Sequence, residues 1–447
     1  MHIVSDILHQ MTQAGLVKKP QAKFITHLLC VWLAVRGRFN FVNLSRYSTY
    51  DERTLRRHFS CDFAWGTFNR HLVEALLPTA SQGREVILAM DASFVPKSGK
   101  HTTGLAYFFN GCVGRSEKGL ELSLVSAMDV IANTAYTLHA QQTLPSKTNQ
   151  TNKTNKTQEE ETETRLTLYL QHLEATRAYW PQGVRHVVVD GYYTRRPFVE
   201  GARALGLEVV GKLRRDANLC FLYSGPQQSR GRPRLMTRRP RLYDAKVRWD
   251  DLDWSRWTCE GELEAGVRLY SAQLYHVALR RVIKVAMLHK DKDKDKGAKS
   301  GKAQHVLLFS TDLSLSGAQI VRYYRARYQI EFLFRDGKQG LGLNDCQARD
   351  SKALEFHWNP ALCALNLAKR QEAQRSGVLT RAPEAAPEAP EAAPEAKAAR
   401  FSLALCKQRC SNQQLLEVFS NKLGLEWSWV KSQPCYFDLC NYGTIRP

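Results

Sequence analysis

Asp91 closes the apolar run EVILAMD (Glu85–Asp91), and Asp190 closes RHVVVD (Arg185–Asp190). A third carboxylate, Glu331, stands among bulky apolar residues in YYRARYQIEFLFRDGKQG (Tyr323–Gly340). An aspartate after a short, continuous apolar run is one delivered to the end of a central strand buried on both faces. Open α/β folds bind their ligands at that edge. Two carboxylates brought together there repel, and a hard divalent cation is their natural counterpart. A third carboxylate from a following helix would complete a cage for one or two magnesium ions. Such a site activates a water or hydroxyl and stabilises a leaving oxygen in phosphodiester chemistry. Taken singly, each aspartate is more often a turn former after a strand, as in VVVDGYY. Asp129, in SAMDVI, is a rival to Asp91 because it too follows an apolar run.

The surroundings of Glu331 weigh towards the site. At about 100° per residue, Tyr324, Arg327, Glu331 and Lys338 share one helical stripe, and Arg335 falls inside it. Tyr323, Ile330, Leu333 and Phe334 take the opposite side and are expected to pack on a sheet. An isolated Arg327–Glu331 pair on a solvated helix would contribute only ~0.3–0.5 kcal/mol. It would also leave the rest of the stripe without a reason. A carboxylate flanked by cations that grip phosphate accounts for all of it.

These groups need a scaffold. Residues 1–80 carry short helical periodicities. In TYDERTLRRHF, Thr49 and Glu52 have capping-box spacing, Leu55 and Phe59 recur at i, i+4, and Arg53, Arg56 and Arg57 stay polar. With FVNLSRY upstream this reads either as a helix-turn-helix with a basic second helix or as an ordinary helical bundle. Residues 81–218 carry the two aspartate strands, further strands in LELSLVSAMDVI and AYTLHA, a helix from about Arg165 to Tyr179, a helix in RRPFVEGARALG and a strand in LEVVGKL. That order predicts a mixed α/β sheet. Residues 219–304 alternate as β-strands with no helical period and form an insertion. The α/β region resumes over 305–375 with the strand HVLLFSTD and the helix of Glu331. A Pro/Glu/Ala linker (376–398) precedes a small helical C-terminal region (399–447), which could contact another subunit. The stretches Ser146–Arg165, Lys290–Lys302 and Ala382–Ala396 are low in complexity and are expected to be solvated loops or linkers.

Bulk composition narrows the partners. The 447 residues suffice for two or three domains, and lysine plus arginine (64) outnumber aspartate plus glutamate (43). A net charge of +21 favours a polyanion, nucleic acid first, because neutralised phosphates release counterions. The longest mostly apolar run, Phe24–Val35, is too short to span a bilayer, and MHIVSDILHQ has no export-signal pattern. Eleven scattered cysteines are no disulfide framework, so a reduced cytoplasmic protein is expected. KSGKHT lacks the first glycine and the Ser/Thr of a P-loop, which argues against a nucleotide cofactor. Cys406, Cys410, Cys435 and Cys440 lack the usual paired zinc spacing and read as reduced thiols.

YRARYQIEFLFRDGK carries the Tyr-x2-Arg-x3-Glu-x6-Lys signature and resembles one large group of cut-and-paste bacterial insertion-sequence transposases. LAMDASFVPKSGKHTTGL is similar to that family's first-aspartate strand and HVVVDGYYTRRPF to its second. The resemblance implies a ribonuclease-H-like mixed sheet with helices on both faces, interrupted by a β-rich insertion. It implies Asp91, Asp190 and Glu331 as ligands of two Mg²⁺ ions, with Mn²⁺ also accepted, and prefers Asp91 to Asp129. It implies Tyr324, Arg327 and Lys338, with Arg335 beside them, as the grip on double-stranded DNA, and a homodimer that pairs two transposon ends. A bacterial, nucleoid-associated location follows. Other basic groups fit the same partner. Lys212, Arg214 and Arg215 lie beyond a strand end where a DNA backbone would pass. Arg230 and Arg232 sit in an RGRP core that resembles an AT-hook, although a plain basic loop reads the same. Two rivals stay open: a transposase-derived protein that binds ends without cutting, and a nuclease on the same fold that never joins strands.

Overall fold

Buried apolar strands must pair their peptide groups, and the strand-forming segments do so in one eleven-stranded sheet. In a computed structural model the protein is described over residues 2–77, 85–145, 158–223, 229, 246–249, 251–290, 304–375 and 401–444. The strands are β1 (Val86–Pro96), β2 (Ala106–Asn110), β3 (Arg115–Asp129), β4 (Thr134–Thr143), β5 (His186–Val188), β6 (Glu208–Lys212), β7 (Leu219–Phe221), β8 (Thr258–Glu264), β9 (Val267–His276), β10 (Arg281–Lys290) and β11 (Gln304–Ser310). Their order is β2-β3-β1-β5-β6-β11-β10-β9-β7, with β4 beside β3 and β8 beside β9. At its heart β3 runs antiparallel between β4 and β1, while β1, β5 and β6 run parallel. This mixed α/β arrangement is consistent with a ribonuclease-H-like fold.

Strand lengths depart from the sequence expectation at both aspartates. β1 runs on past Asp91 to Pro96 because β3 is long enough to pair it throughout, Asp91 opposite Leu124. β5 has only three residues and stops before Asp190. The strands β7 to β10, expected to form an insertion, join the same sheet, and β10 takes the hydrogen-bonding edge that β11 would otherwise leave open.

Before the sheet come α1 (His2–Gln13), α2 (Lys19–Ala34), α3 (Phe41–Arg46), α4 (Glu52–Phe59) and α5 (Trp65–Glu74). α6 (Gln158–Ala175) begins inside the first low-complexity stretch, whose glutamates and glutamines are good helix formers. The expected loop there is therefore partly helix. α7 (Arg196–Ala204) joins β5 to β6. α8 (Gly317–Ala326), α9 (Tyr328–Gly340) and α10 (Ser351–Arg375) follow the sheet, and α11 (Leu403–Lys422), α12 (Trp427–Ser432) and α13 (Tyr436–Cys440) end the described chain. Among the described residues no helix is long and apolar enough to cross a membrane. All eleven cysteines are free thiols.

The N-terminal helices pack into the rest of the molecule. Trp32 is fully buried and donates from its indole nitrogen to the Leu341 carbonyl at 3.0 Å. α10 also closes the edge of β4. The Asn359 amide pairs with both backbone groups of Ala140 (3.1 and 2.9 Å), and the Asn366 amide does the same for Thr137 (2.9 and 2.9 Å). An edge whose donors and acceptors are used this way offers no ladder to another chain.

Candidate active site

Strand register decides which carboxylates meet. In the parallel β1–β5 pair, Leu88 lies opposite Val187 and Ala89 opposite Val188. Asp190 follows two residues past the end of β5, and its charge is close enough to act on Asp91. In the β5–β6 pair Val188 lies opposite Val210, two residues before Lys212 ends β6. Asp190 is fixed locally, its Oδ1 accepting from the Tyr192 N–H. Asp129 pairs with Val86 at the far end of β1, and its Oδ1 accepts from Ile131 N (3.1 Å) and Ala132 N (2.8 Å) in a turn. The rival carboxylate is a turn former.

Glu331 comes from a helix packed against β1 and β4. The segment expected as one helix is two, α8 and α9, joined at Arg327, which keeps helical dihedrals (φ −51°, ψ −33°). Tyr323, Ile330, Leu333 and Phe334 are buried as the periodicity predicts. β8 holds the start of α8: its Glu260 carboxylate accepts from Gly317 N at 2.9 Å and Ala318 N at 3.0 Å. A carboxylate at a helix N-terminus complements the helix dipole. Ser316 and Gln319 add a capping box.

Arg327 is the centre of the group. Its side chain is 7 % exposed, with Nη1 3.2 Å from Asp91 Oδ2 and Nη2 2.7 Å from Glu331 Oε1. The guanidinium also lies 5.6 Å from the Tyr324 ring centre and 5.2 Å from that of Tyr328. Burial raises Asp91 to about 7, opposed by Arg327 and the Ala92 N–H and reinforced by Asp190 and Glu331. Burial alone would lower Arg327, but Asp91, Tyr324 and the two other carboxylates hold it above its ordinary value. Burial likewise pushes the Tyr324 hydroxyl up.

The cations expected on the DNA side divide into two kinds. Arg327 and Lys338 are engaged within the protein: the half-buried Lys338 ammonium donates to Ser93 Oγ (2.8 Å) and the Phe94 carbonyl (2.7 Å). Ser93 is the next residue after Asp91 on the same face of β1, so strand alternation alone could have found it. Arg335 is exposed but bonded to Asp336 and stacked over Phe332. Arg214 pairs with Asp216, while Lys212, the last residue of β6, and Arg215 beyond it are exposed. Arg53, Arg56 and Arg57 are exposed on α4, with Arg56 paired to Glu52. The cap of α4 is Asp51, whose Oδ1 accepts from Thr54 N at 2.7 Å, and not Thr49. Aspartate adjoining the helix takes the capping position that the Thr49 spacing had suggested. Arg230 and Arg232 lie outside the described residues.

Asp91, Asp190 and Glu331 supply hard oxygen donors, and when ionised they leave two negative charges uncompensated by Arg327. That donor set suits a divalent cation. Among the described residues no three His, Cys, Asp or Glu side chains already converge on one point, and Arg327 stands between Asp91 and Glu331.

Residues 13–265, more than half of the chain, match the family model described as DDE superfamily endonuclease. No curated protein matches the chain.

Proposed function

The chain belongs to the DDE superfamily endonucleases, and from that premise we propose that it is a DNA transposase acting on the inverted ends of an insertion sequence. In this reading Asp91, Asp190 and Glu331 are its acidic triad. The observation that carries the reading is the Arg327 guanidinium that ties Asp91 to Glu331, with Asp190 just past the end of β5, the strand that pairs with β1. The three carboxylates would hold two divalent ions, magnesium or manganese, which supply activation of water and stabilisation of the leaving oxygen. Arg327 bridges Asp91 and Glu331 and opposes the effect of burial on Asp91 until substrate and ions arrive. Tyr324 packs beside the guanidinium and orients it. Lys338 fixes α9 against β1 and so sets the height of Glu331 over the sheet.

Hydrolysis at each end frees a 3′-hydroxyl, and that hydroxyl attacks a second phosphodiester in the target. Its proton leaves, one P–O bond forms and one breaks. No covalent bond to the enzyme is needed, so no Ser or Cys nucleophile is required. Two ends call for two copies of the chain, and the exposed cations Lys212 and Arg215 lie where the duplex would approach the carboxylates.

The test is cleavage of a plasmid carrying the element's own ends, with magnesium. The wild-type chain should cut at the ends and join them to a target. Asp91→Asn, Asp190→Asn and Glu331→Gln should each abolish cutting and keep end binding. A variant that still cuts removes that residue from the triad. Cutting without joining makes the protein a nuclease of the same family, and binding without cutting makes it an end-binding protein.

A further inference from the structure

The motif KSGKHT, set aside as a nucleotide loop, forms one wall of a cleft of about 390 Å³ at the C-terminal end of β1. Its other walls are the α2–α3 link, with Arg38, and the α9–α10 link, with Asp345 and Arg349. The motif contributes Lys97, Lys100 and His101. Four side chains of fixed positive charge thus line the cleft against one carboxylate, and Asp345 already accepts from Phe39 N at 2.9 Å. Arg38, Lys100 and Arg349 are exposed, and none has an ion-pair partner among the described residues. Unpaired cations facing one concavity repel one another, and an anion placed among them removes that cost.

The walls are fixed in position. Lys97 donates to the Cys346 carbonyl, and Thr103 N donates to the Arg349 carbonyl at 2.8 Å. Gly342 has φ +69°, and a Cβ there would meet the Phe39 ring at 2.4 Å, so the α9–α10 link approaches the N-terminal region as closely as a glycine permits. Three chain segments distant in sequence therefore hold their cations towards one opening. β1 leads from Asp91 to this cleft over six residues, about 20 Å. α9 leads there as well, from Glu331 past Lys338 to the link that carries Arg349.

We propose that this cleft binds the phosphate backbone of double-stranded DNA about six base pairs from the phosphodiester held at Asp91, Asp190 and Glu331, with Arg38, Lys100 and Arg349 as the contacts. The distance follows from one phosphate per ~3.4 Å of helix axis on each strand. Cations spread over three segments around an open cleft suit successive phosphates, whereas a free phosphate ion would need donors converging on one point. The inference rests on the proposed function for its DNA partner, and adds to it a contact remote from the carboxylates.

The experiment measures binding of the full chain to a duplex of about 40 base pairs of arbitrary sequence, by fluorescence anisotropy, from about 50 to about 300 mM KCl without divalent ions. The triple variant Arg38→Gln, Lys100→Gln, Arg349→Gln should make the negative slope of log affinity against log salt shallower by about 2.7, three contacts at ~0.9 each. Its melting temperature should match the wild type, because the three side chains are exposed and unpaired. An unchanged slope in the variant, with tight wild-type binding, overturns the cleft and leaves the proposed function standing. A wild-type chain that does not bind the duplex overturns both. Inorganic phosphate serves as the second probe: if it raises the wild-type but not the variant melting temperature while the duplex slope is unchanged, the cleft is a small-anion site and the inference is wrong.

Discussion

Replacing Arg327 with glutamine should produce a loss of stability that grows with pH. Asp91 titrates at about 7 in the folded protein, against about 3.9 for a solvated aspartate. Between those values the folded chain holds a proton that the unfolded chain has lost. The Asp91 contribution to stability therefore falls as pH rises from about 4, and the loss is complete above about 7. Arg327 Nη1, 3.2 Å away, is the main influence holding that pKa down. An opposite charge so close lowers a carboxylate by ~1–3 units, so in Arg327→Gln the Asp91 pKa rises to about 8–10. At pH 6 Asp91 is protonated in both proteins and its ionisation adds no difference. At about pH 8.5 the wild type carries the charge at its own cost, while the variant carries ~1–1.5 units more, about 1.4–2 kcal/mol. Asp91 retains 20 % side-chain exposure, which places the value towards the lower figure. Urea denaturation of both proteins at the two pH values, with a chelator present, reads the difference directly. An equal gap at both pH values, or a wider one at pH 6, would refute the assignment of Arg327 as the counter-charge of Asp91.

Lys338→Met should cost ~1–3 kcal/mol by leaving Ser93 Oγ and the Phe94 carbonyl without their donor. An unaltered urea midpoint would show that the ammonium is free to serve DNA instead. Trp32→Ala should cost ~3–5 kcal/mol, since it empties a fully buried site between α2 and α10 and frees the Leu341 carbonyl. If the N-terminal helices melted separately, with the remainder at its wild-type temperature, that packing would not be coupling them. Gly119→Ala should lower thermal stability and weaken cleavage, because the added Cβ would lie 2.6 Å from the Val95 carbonyl oxygen and 2.4 Å from the Phe94 ring on the strand of Asp91. Wild-type melting in that variant would mean that β1 and β3 separate there without cost.

Much of the scaffold is legible in the chain because its signals are local. Continuous apolar runs marked β1 and β5, alternation marked β9 and β10, and the side of α9 bearing Ile330, Leu333 and Phe334 packs inward as its spacing requires. Where a competing local signal was stronger, the reading moved: Asp51 and not Thr49 caps α4, and Gln158 already begins α6. The extent of β1 was not legible, because it depends on the length of β3, a partner drawn from elsewhere in the chain.

The sequence by itself determined that three carboxylates, two after apolar runs and one on an amphipathic segment, are candidates for a single site. Tertiary structure decided which of them meet. Periodicity assigns a residue to a face of its own element, whereas neighbours across a sheet depend on register, a relation between strands far apart in the chain. Register paired β1 with β5, the strand that leads to Asp190, and set Asp129 opposite Val86 at the start of β1. It also decided the fate of the cations. A helical stripe records only that Arg327 and Lys338 point the same way as Glu331, but the opposite charge and the carbonyl that claim them lie on β1.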